Sequence, residues 1–417
     1  MQFINNYWLR TFDSLQIRNF RLYFFSQAIS LCGNWLQVIA LSWLVLQLGS
    51  SGAILGTVIG MQFLPSLLLG PWIGTLIDRV SKRALIYASN AVACLSSLML
   101  GLLVITHHAQ VWQVAILGLI SGVAAAIEMP ARQTFIADLV NKGRLQNAIT
   151  LGAMEANVAR IIGPALGAVC IAFVSIGGCF IINAGTFVCS MIGLFLMHRK
   201  HNWDQNRIPK AHGQMIEGLR YIRAHKMPRV ILGMMILIGT FVCEFFITLP
   251  LLAKITFEGG ADTYAAMTTA SGIGAVLGGL YIAGNKIPHN LGVLARRAII
   301  LGVCMLALAV APTFPIAIAV LVAVGASQLM LVASANAMLM AHVDVHMRGR
   351  MNAWWVVIFT GSTPLGGPLM GWIAQHASPG WAFAIGGFAA IFSGAAVLLH
   401  KQTRRVTTPE RTEQAVA

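Results

Sequence analysis

Long apolar runs separated by short polar stretches fill the chain from its first tens of residues to its last. A helix needs roughly 20 apolar residues to cross the hydrocarbon of a bilayer, so each run predicts one membrane span. Twelve are expected, over 21–47, 52–77, 84–106, 111–131, 148–174, 177–197, 230–253, 264–283, 293–311, 315–342, 352–374 and 381–399. The predicted fold class is an all-α integral membrane protein whose twelve transmembrane helices form two six-helix bundles. Spans five and six join tightly around Gly177-Gly178. Span eight is rich in Gly and Thr, and Gly274 and Gly278 give it a small-residue face suited to close helix packing.

Composition supports the membrane reading. Of 417 residues, 57% are hydrophobic and only 10% charged, too few charges to coat a soluble protein of this size. The net charge of +15 would suit a nucleic-acid partner if it formed a patch, but it does not. Every Lys and Arg except Lys254 and Arg160 falls in loops that share one face. That bias predicts cytoplasmic termini, a cytoplasmic central loop and no nucleic-acid partner. The first apolar run is too long for a cleaved signal peptide and reads as a retained span. The seven cysteines lie in apolar runs without a Cys-x-x-Cys and read as buried free thiols. His107-His108 and the group His342, Asp344 and His346 offer too few converging ligands for a metal, and none is assigned. There is no phosphate-cradling Gly-rich Lys loop, so neither ATP drive nor a cofactor is expected.

The polar, basic segment 198–229 divides the chain. It leaves a bundle at 1–197, a cytoplasmic linker at 198–229, a bundle at 230–400 and a cytoplasmic tail at 401–417. The halves are weakly repeated. Arg144-Leu145-Gln146-Asn147-Ala148 leads into span five and Arg350-Met351-Asn352-Ala353 into span eleven, with Gly163-Pro164 and Gly367-Pro368 at comparable depth. Parallel repeats of this kind place a transport site between the halves near the midplane. Within the linker, Gln214–Arg223 has apolar residues at helical spacing and predicts an amphipathic helix at the inner surface.

These features resemble the major facilitator superfamily. Gly74-x-x-x-Asp78-Arg79-x-x-Lys82-Arg83 is similar to that family's signature loop between spans two and three, with Ser81 where Gly is usual. Pro130-Ala131-Arg132-Gln133, Gly163-Pro164-Ala165-Leu166-Gly167, Glu217-Gly218-Leu219-Arg220-Tyr221-Ile222 and Arg348-Gly349-Arg350 resemble a bacterial branch of the drug:proton antiporters. That branch holds enterobactin-exporter-like and macrolide-efflux-like proteins. The resemblance covers about 10–400.

It implies the major facilitator fold and a gate of Asp78, Arg79, Lys82, Arg83, Glu128 and Arg132. In that gate Asp78 faces the start of span eleven and Lys82 pairs with Glu128. The bland alternative is a solvated loop that only sets topology.

Ionisable residues inside spans are costly and mark functional positions. Glu244 lies about fourteen residues into span seven, or roughly 21 Å deep at helical rise. It is the first candidate for a proton-coupling carboxylate, and Glu155 is the second. Arg160 is too far along span five to pair well with Glu155. Either carboxylate could instead be structural, paired with Arg160 or a polar neighbour. Gln27, Ser30, Asn34 and Gln37 form one polar stripe on span one, which serves as a cavity wall or as interhelical glue. Phe241 and Phe245 would add an aromatic wall, unless they are core. Gly163, Pro164 and Gly167, with Gly367 and Pro368, read as helix kinks or close-packing points. The stretch at 163–167 also resembles an export-type antiporter motif.

The expected function is proton-coupled export of an amphipathic organic molecule, a siderophore or a drug-like compound, by alternating access in the bacterial inner membrane. The partners are that molecule, protons and membrane lipid, and the protein is expected to be a monomer. An uptake symporter or facilitator on the same fold is the alternative. A membrane enzyme or sensor would carry an added soluble domain or a catalytic constellation, and neither is visible.

Overall fold

The computed structural model describes residues 12–49, 51–141, 143–198, 214–285, 290–344 and 347–402, and not the side chains at 71, 74, 75, 78, 157, 160, 161, 168, 214, 215, 283, 360 and 400–402. The 403–417 portion of the expected tail and the 199–213 portion of the expected linker lie outside that range.

The described chain is helical throughout. A 3-10 turn at Asp13–Gln16 precedes α1 (Arg18–Gln47), α2 (Gly52–Arg79), α3 (Lys82–Ile105), α4 (Val111–Leu139), α5 (Leu145–Phe173) and α6 (Ile176–Phe195). The short α7 (Gln214–Ala224) follows, then α8 (Lys226–Phe241), α9 (Phe245–Leu251) and a π-helical turn, Leu252–Thr256. The remainder are α10 (Ala261–Gly284), α11 (Leu291–Ala309), α12 (Phe314–His342), α13 (Arg348–Gly361), α14 (Thr363–His376) and α15 (Pro379–Gln402).

Among the described residues, eleven stretches are long and apolar enough to cross a membrane. The expected fifth span is the 29-residue α5, in which Ile162–Phe173 is a shorter apolar stretch. Two expected spans are not single rods. The seventh breaks between α8 and α9, and the eleventh breaks at Ser362 between α13 and α14. Span four runs past its expected end at 131 to Leu139, with Pro130 inside the helix.

Close backbone approach explains several glycines. A Cβ at Gly274 or Gly278 would meet the Val322 or Ala326 carbonyl of α12, so the predicted small-residue face of α10 is used. Gly163 sits against Trp35 and the Cys32 carbonyl of α1, and Gly167 against Leu36 and Ile39. α5 stays one helix through Pro164. A second seam joins α2 to α14. A Cβ at Gly52 or Gly56 would meet the Gly371 or Gly367 carbonyl, and one at Gly60 would lie 3.1 Å from Pro364 Cα. Near the same end, Lys254 Nζ donates to the Leu46 carbonyl at 2.8 Å, and the Gly52 N–H donates to Gln375 Oε1 at 3.3 Å. Lys254 thus satisfies a carbonyl in the last turn of α1, where a cation is electrostatically favoured. The cysteines are all free, but only Cys170 and Cys179 are buried; Cys32, Cys94, Cys243 and Cys304 are half-buried and Cys189 is exposed on α6.

Candidate functional site

The break in span seven positions the most unusual side chain. The Val242 and Cys243 amides both reach back to the Ile238 carbonyl, and the Glu244 carbonyl restarts the ladder by accepting from the Ile247 and Thr248 amides at 3.0 Å each. Glu244 is held at this corner with 2% of its surface exposed. Thr363 at the start of α14 is a polar neighbour of its carboxylate, and Oε1 has no hydrogen-bond partner among the described residues. Gly366 on α14 makes the room, since a Cβ there would sit 3.0 Å from that oxygen.

Thr363 also lines a cavity of ≈ 210 Å³. Trp35 of α1 and Phe63 of α2 contribute from the first half of the chain. Phe245, Phe246, Thr268, Ser271, Gln328 and Phe359 contribute from the second. The Trp35 and Phe246 rings lie 5.7 Å apart, and the Ser42 hydroxyl donates to the Phe246 carbonyl at 3.1 Å. Aromatic walls with a few hydroxyl and amide groups suit an amphipathic organic ligand.

The expected polar wall is mostly elsewhere. Gln27 donates to Glu128 Oε1 at 3.1 Å and accepts from the Ser190 hydroxyl, which itself accepts from Asn90. Gln37 accepts from Ser97 at 2.7 Å and from Asn183. Ser30 is buried and Asn34 half-buried, and neither is on the cavity lining. Gln27 and Gln37 of the α1 stripe thus bond to side chains on α3, α4 and α6, while Ser30 Oγ is buried without a partner among the described residues. Phe245 lines the cavity as expected, whereas Phe241 packs its backbone against Gly386 of α15.

The pairing expected of Lys82 is also corrected. Its ammonium lies 2.7 Å from Asp138 Oδ2 and 2.9 Å from Oδ1. The reason is the length of α4, which puts Asp138 at its end and leaves Glu128 about 15 Å deeper at helical rise. Glu128 instead faces Arg132 at 3.6 Å and Gln27. Arg83 donates to the Leu194 and Phe195 carbonyls at the end of α6, and Arg79 is exposed. The side chains of Asp78 and Arg160 lie outside the described residues.

Glu155 is buried, with Oε1 unpartnered among the described residues. It sits within electrostatic reach of Arg132, Glu128 and Tyr23. Two residue sets that looked unrelated in the sequence, the half-buried gate pair Glu128 and Arg132 and the span-five carboxylate, thus lie within electrostatic reach of one another. Three features escaped the sequence reading. Asp138 and Thr363 carry no pattern that marks them, but the Gly52-x-x-x-Gly56-x-x-x-Gly60 repeat was a legible packing signal.

Two branch motifs meet at the linker. Glu217 of α7 accepts from Arg350 Nη1 at 2.8 Å, and Tyr221 donates to Asp344 Oδ2 at 3.2 Å. Gly218 lies beneath Trp354, where a Cβ would be 2.9 Å from the indole.

Comparison with known proteins agrees with this architecture. The transmembrane secretion effector family matches residues 10–414. The staphyloferrin A transporter of Staphylococcus aureus is 27% identical over 62% of this chain and 66% of its own length, so the match spans just under two thirds of that relative. The multidrug efflux pump Tap of Mycolicibacterium fortuitum is 23% identical over 83% of this chain and 88% of its own. Macrolide efflux protein A of Streptococcus pyogenes is 22% identical over 63% and 67%. The crystal structure of the nucleoside transporter NupG (D323A mutant) superposes with a TM-score of 0.75 at 13% identity, covering 93% of this chain and 99% of that one. The chain therefore belongs to the transmembrane secretion effector family, and it is a multi-pass membrane protein of the major facilitator fold.

Proposed function

We propose that the protein is a proton-coupled exporter of an amphipathic organic molecule, working by alternating access in the bacterial inner membrane. In this reading the chain crosses the bilayer twelve times with both termini in the cytoplasm, and acts as a monomer. The bundles at 1–197 and 230–400 rock about the cavity. The observation that carries the reading is the cavity itself, walled by aromatic residues from both halves and lined by Cys243 and Phe245, the chain neighbours of the buried Glu244, whose Oε1 has no partner among the described residues. A fixed negative charge in a spanning segment is costly, and a transporter uses that cost by letting the group load and release a proton. The efflux and siderophore relatives support a drug-like or siderophore substrate.

Inverted membrane vesicles test the direction. With an acidic interior and erythromycin outside, the vesicles should accumulate the macrolide, and Glu244→Gln should abolish that accumulation. Accumulation only in right-side-out vesicles would make the protein an importer.

A further inference from the structure

Away from the central cavity, a second hollow opens on the periphery of the first half. α1 and α6 pack together there and leave a groove of ≈ 460 Å³ between them. Arg21, Phe25 and Ile29 line it from α1, and Cys189, Ile192 and Leu196 from α6. All six are exposed. Each set recurs at three- or four-residue steps, so each is one strip of its helix. The floor between the strips is made of small residues. A Cβ at Gly193 would collide with Ser26 Oγ, so the helices touch at this point. The Ser26 hydroxyl donates its proton to the Tyr23 carbonyl at 3.0 Å, away from the groove.

The groove is apolar along its length and cationic at one end. At that end Asn19 and the His198 backbone exchange two hydrogen bonds, of 3.0 and 3.1 Å, which tie the chain leaving α6 to the start of α1. Three guanidiniums gather there. Arg18 is taken up by the His198 ring, and Arg83 by the Leu194 and Phe195 carbonyls. Arg21, which lines the groove, has no side-chain hydrogen bond or ion pair among the described residues.

We propose that this groove binds an anionic phospholipid, its phosphate on Arg21 and one acyl chain laid along Phe25 and Ile29 against α6. The site rests on the membrane reading of the chain and is independent of proton coupling. In the topology proposed above it opens to the inner leaflet.

Length fits the occupant. Arg21 to Ile29 is eight residues, or about 12 Å at helical rise. One leaflet contributes about half of a hydrocarbon core roughly 30 Å thick. An acyl chain whose headgroup sits at Arg21 therefore runs beside both apolar strips to near the midplane. Selectivity has to come from the headgroup. A tail gains little by exchanging bulk lipid for Phe, Ile and Leu side chains, because lipid tails are equally apolar. A guanidinium facing a phosphate is different, since its planar donors match the phosphate oxygens and its charge is not cancelled by another protein group. A zwitterionic headgroup brings its own ammonium to compete with Arg21. A net-negative one does not, and is favoured.

Native mass spectrometry of the detergent-purified protein tests the site, with phosphatidylglycerol and phosphatidylethanolamine of matched chains added in competition. The first lipid retained should be phosphatidylglycerol, bound about fivefold more tightly. Arg21→Gln should erase that preference and Arg21→Lys should keep most of it. Cys189→Phe, which fills the groove from α6, should lose the tight first lipid with Arg21 still in place. Arg223→Gln on α7 and Leu280→Phe on α10 change exposed residues outside the groove and should leave binding as it was. Equal retention of the two lipids would make this ordinary annular lipid and overturn the site. A preference that falls as far in Arg223→Gln as in Arg21→Gln would assign it to diffuse surface charge. A dimer that Cys189→Phe converts to monomer would give the groove to a second copy of the chain.

Discussion

Lys82 at the start of α3 and Asp138 at the end of α4 form an ion pair with Nζ 2.7 Å from Oδ2, both side chains largely shielded from solvent. The pair ties two helices of the same half together at the end where the signature loop turns. Lys82 of that loop is therefore a brace within the first half of the chain. Breaking one partner of a half-buried pair costs on the order of 1–2 kcal/mol. Lys82→Gln should therefore lower the thermal midpoint of the purified protein. A double-mutant cycle should show coupling between Lys82 and Asp138 and none between Lys82 and Glu128. Coupling to Glu128 instead would return the pair first expected.

The α2–α14 seam leaves no space for side chains. Gly56→Leu should abolish transport while the protein still inserts in the membrane, because its Cβ alone would meet the Gly367 carbonyl. Gly118→Ala is the matched control, since nothing lies within 4 Å of a Cβ there. Export assays on the two variants, normalised to membrane content, check this. Unimpaired export by Gly56→Leu would show that the seam is not needed.

The linker helix should move with the second half. Arg350→Glu ought to slow export and to expose α7 to protease. The swapped variant Glu217→Arg with Arg350→Glu ought to recover both, since the 2.8 Å pair is re-formed with reversed charge. Limited proteolysis of the three proteins reads the docking directly. Equal cleavage in all of them would remove the ion pair as the anchor.

The proximity of Glu155 to Arg132 and Glu128 predicts a division of labour between the acids. Glu155→Gln removes a carboxylate that shares the field of Arg132 with Glu128, so pH-driven export should slow without being lost. Glu244→Gln should lose it and keep substrate counterflow, which needs no net proton movement. Exchange of labelled against unlabelled erythromycin in proteoliposomes separates the two steps. Full loss of counterflow in Glu244→Gln would assign that residue to substrate binding.

Most of the span pattern was legible because crossing a bilayer is a demand on length and hydropathy, and both are written along the chain. The break at Val242–Glu244 was not legible. Its neighbours are as apolar as a continuous span, and a kink that preserves hydropathy leaves no trace in it. Pro364, just after the second break, was a better signal. The Lys82 partner was misjudged because α4 continues as a polar helix to Leu139, beyond the point where apolar counting stops. The α1 stripe was visible as a stripe, but which helix it faced depended on packing. Gln27 and Gln37 turned to α3, α4 and α6 because hydroxyl, amide and carboxylate partners wait there.

A reversible crosslink across the α2–α14 seam tests the alternating movement most directly. Cysteines at Ala53 and Gln375, in a background stripped of native thiols, would be joined by a short bis-methanethiosulfonate while erythromycin export is followed in inverted vesicles. Rocking of the halves predicts that export stops on crosslinking and returns when the reagent is reduced. Undiminished export by the crosslinked protein would contradict it.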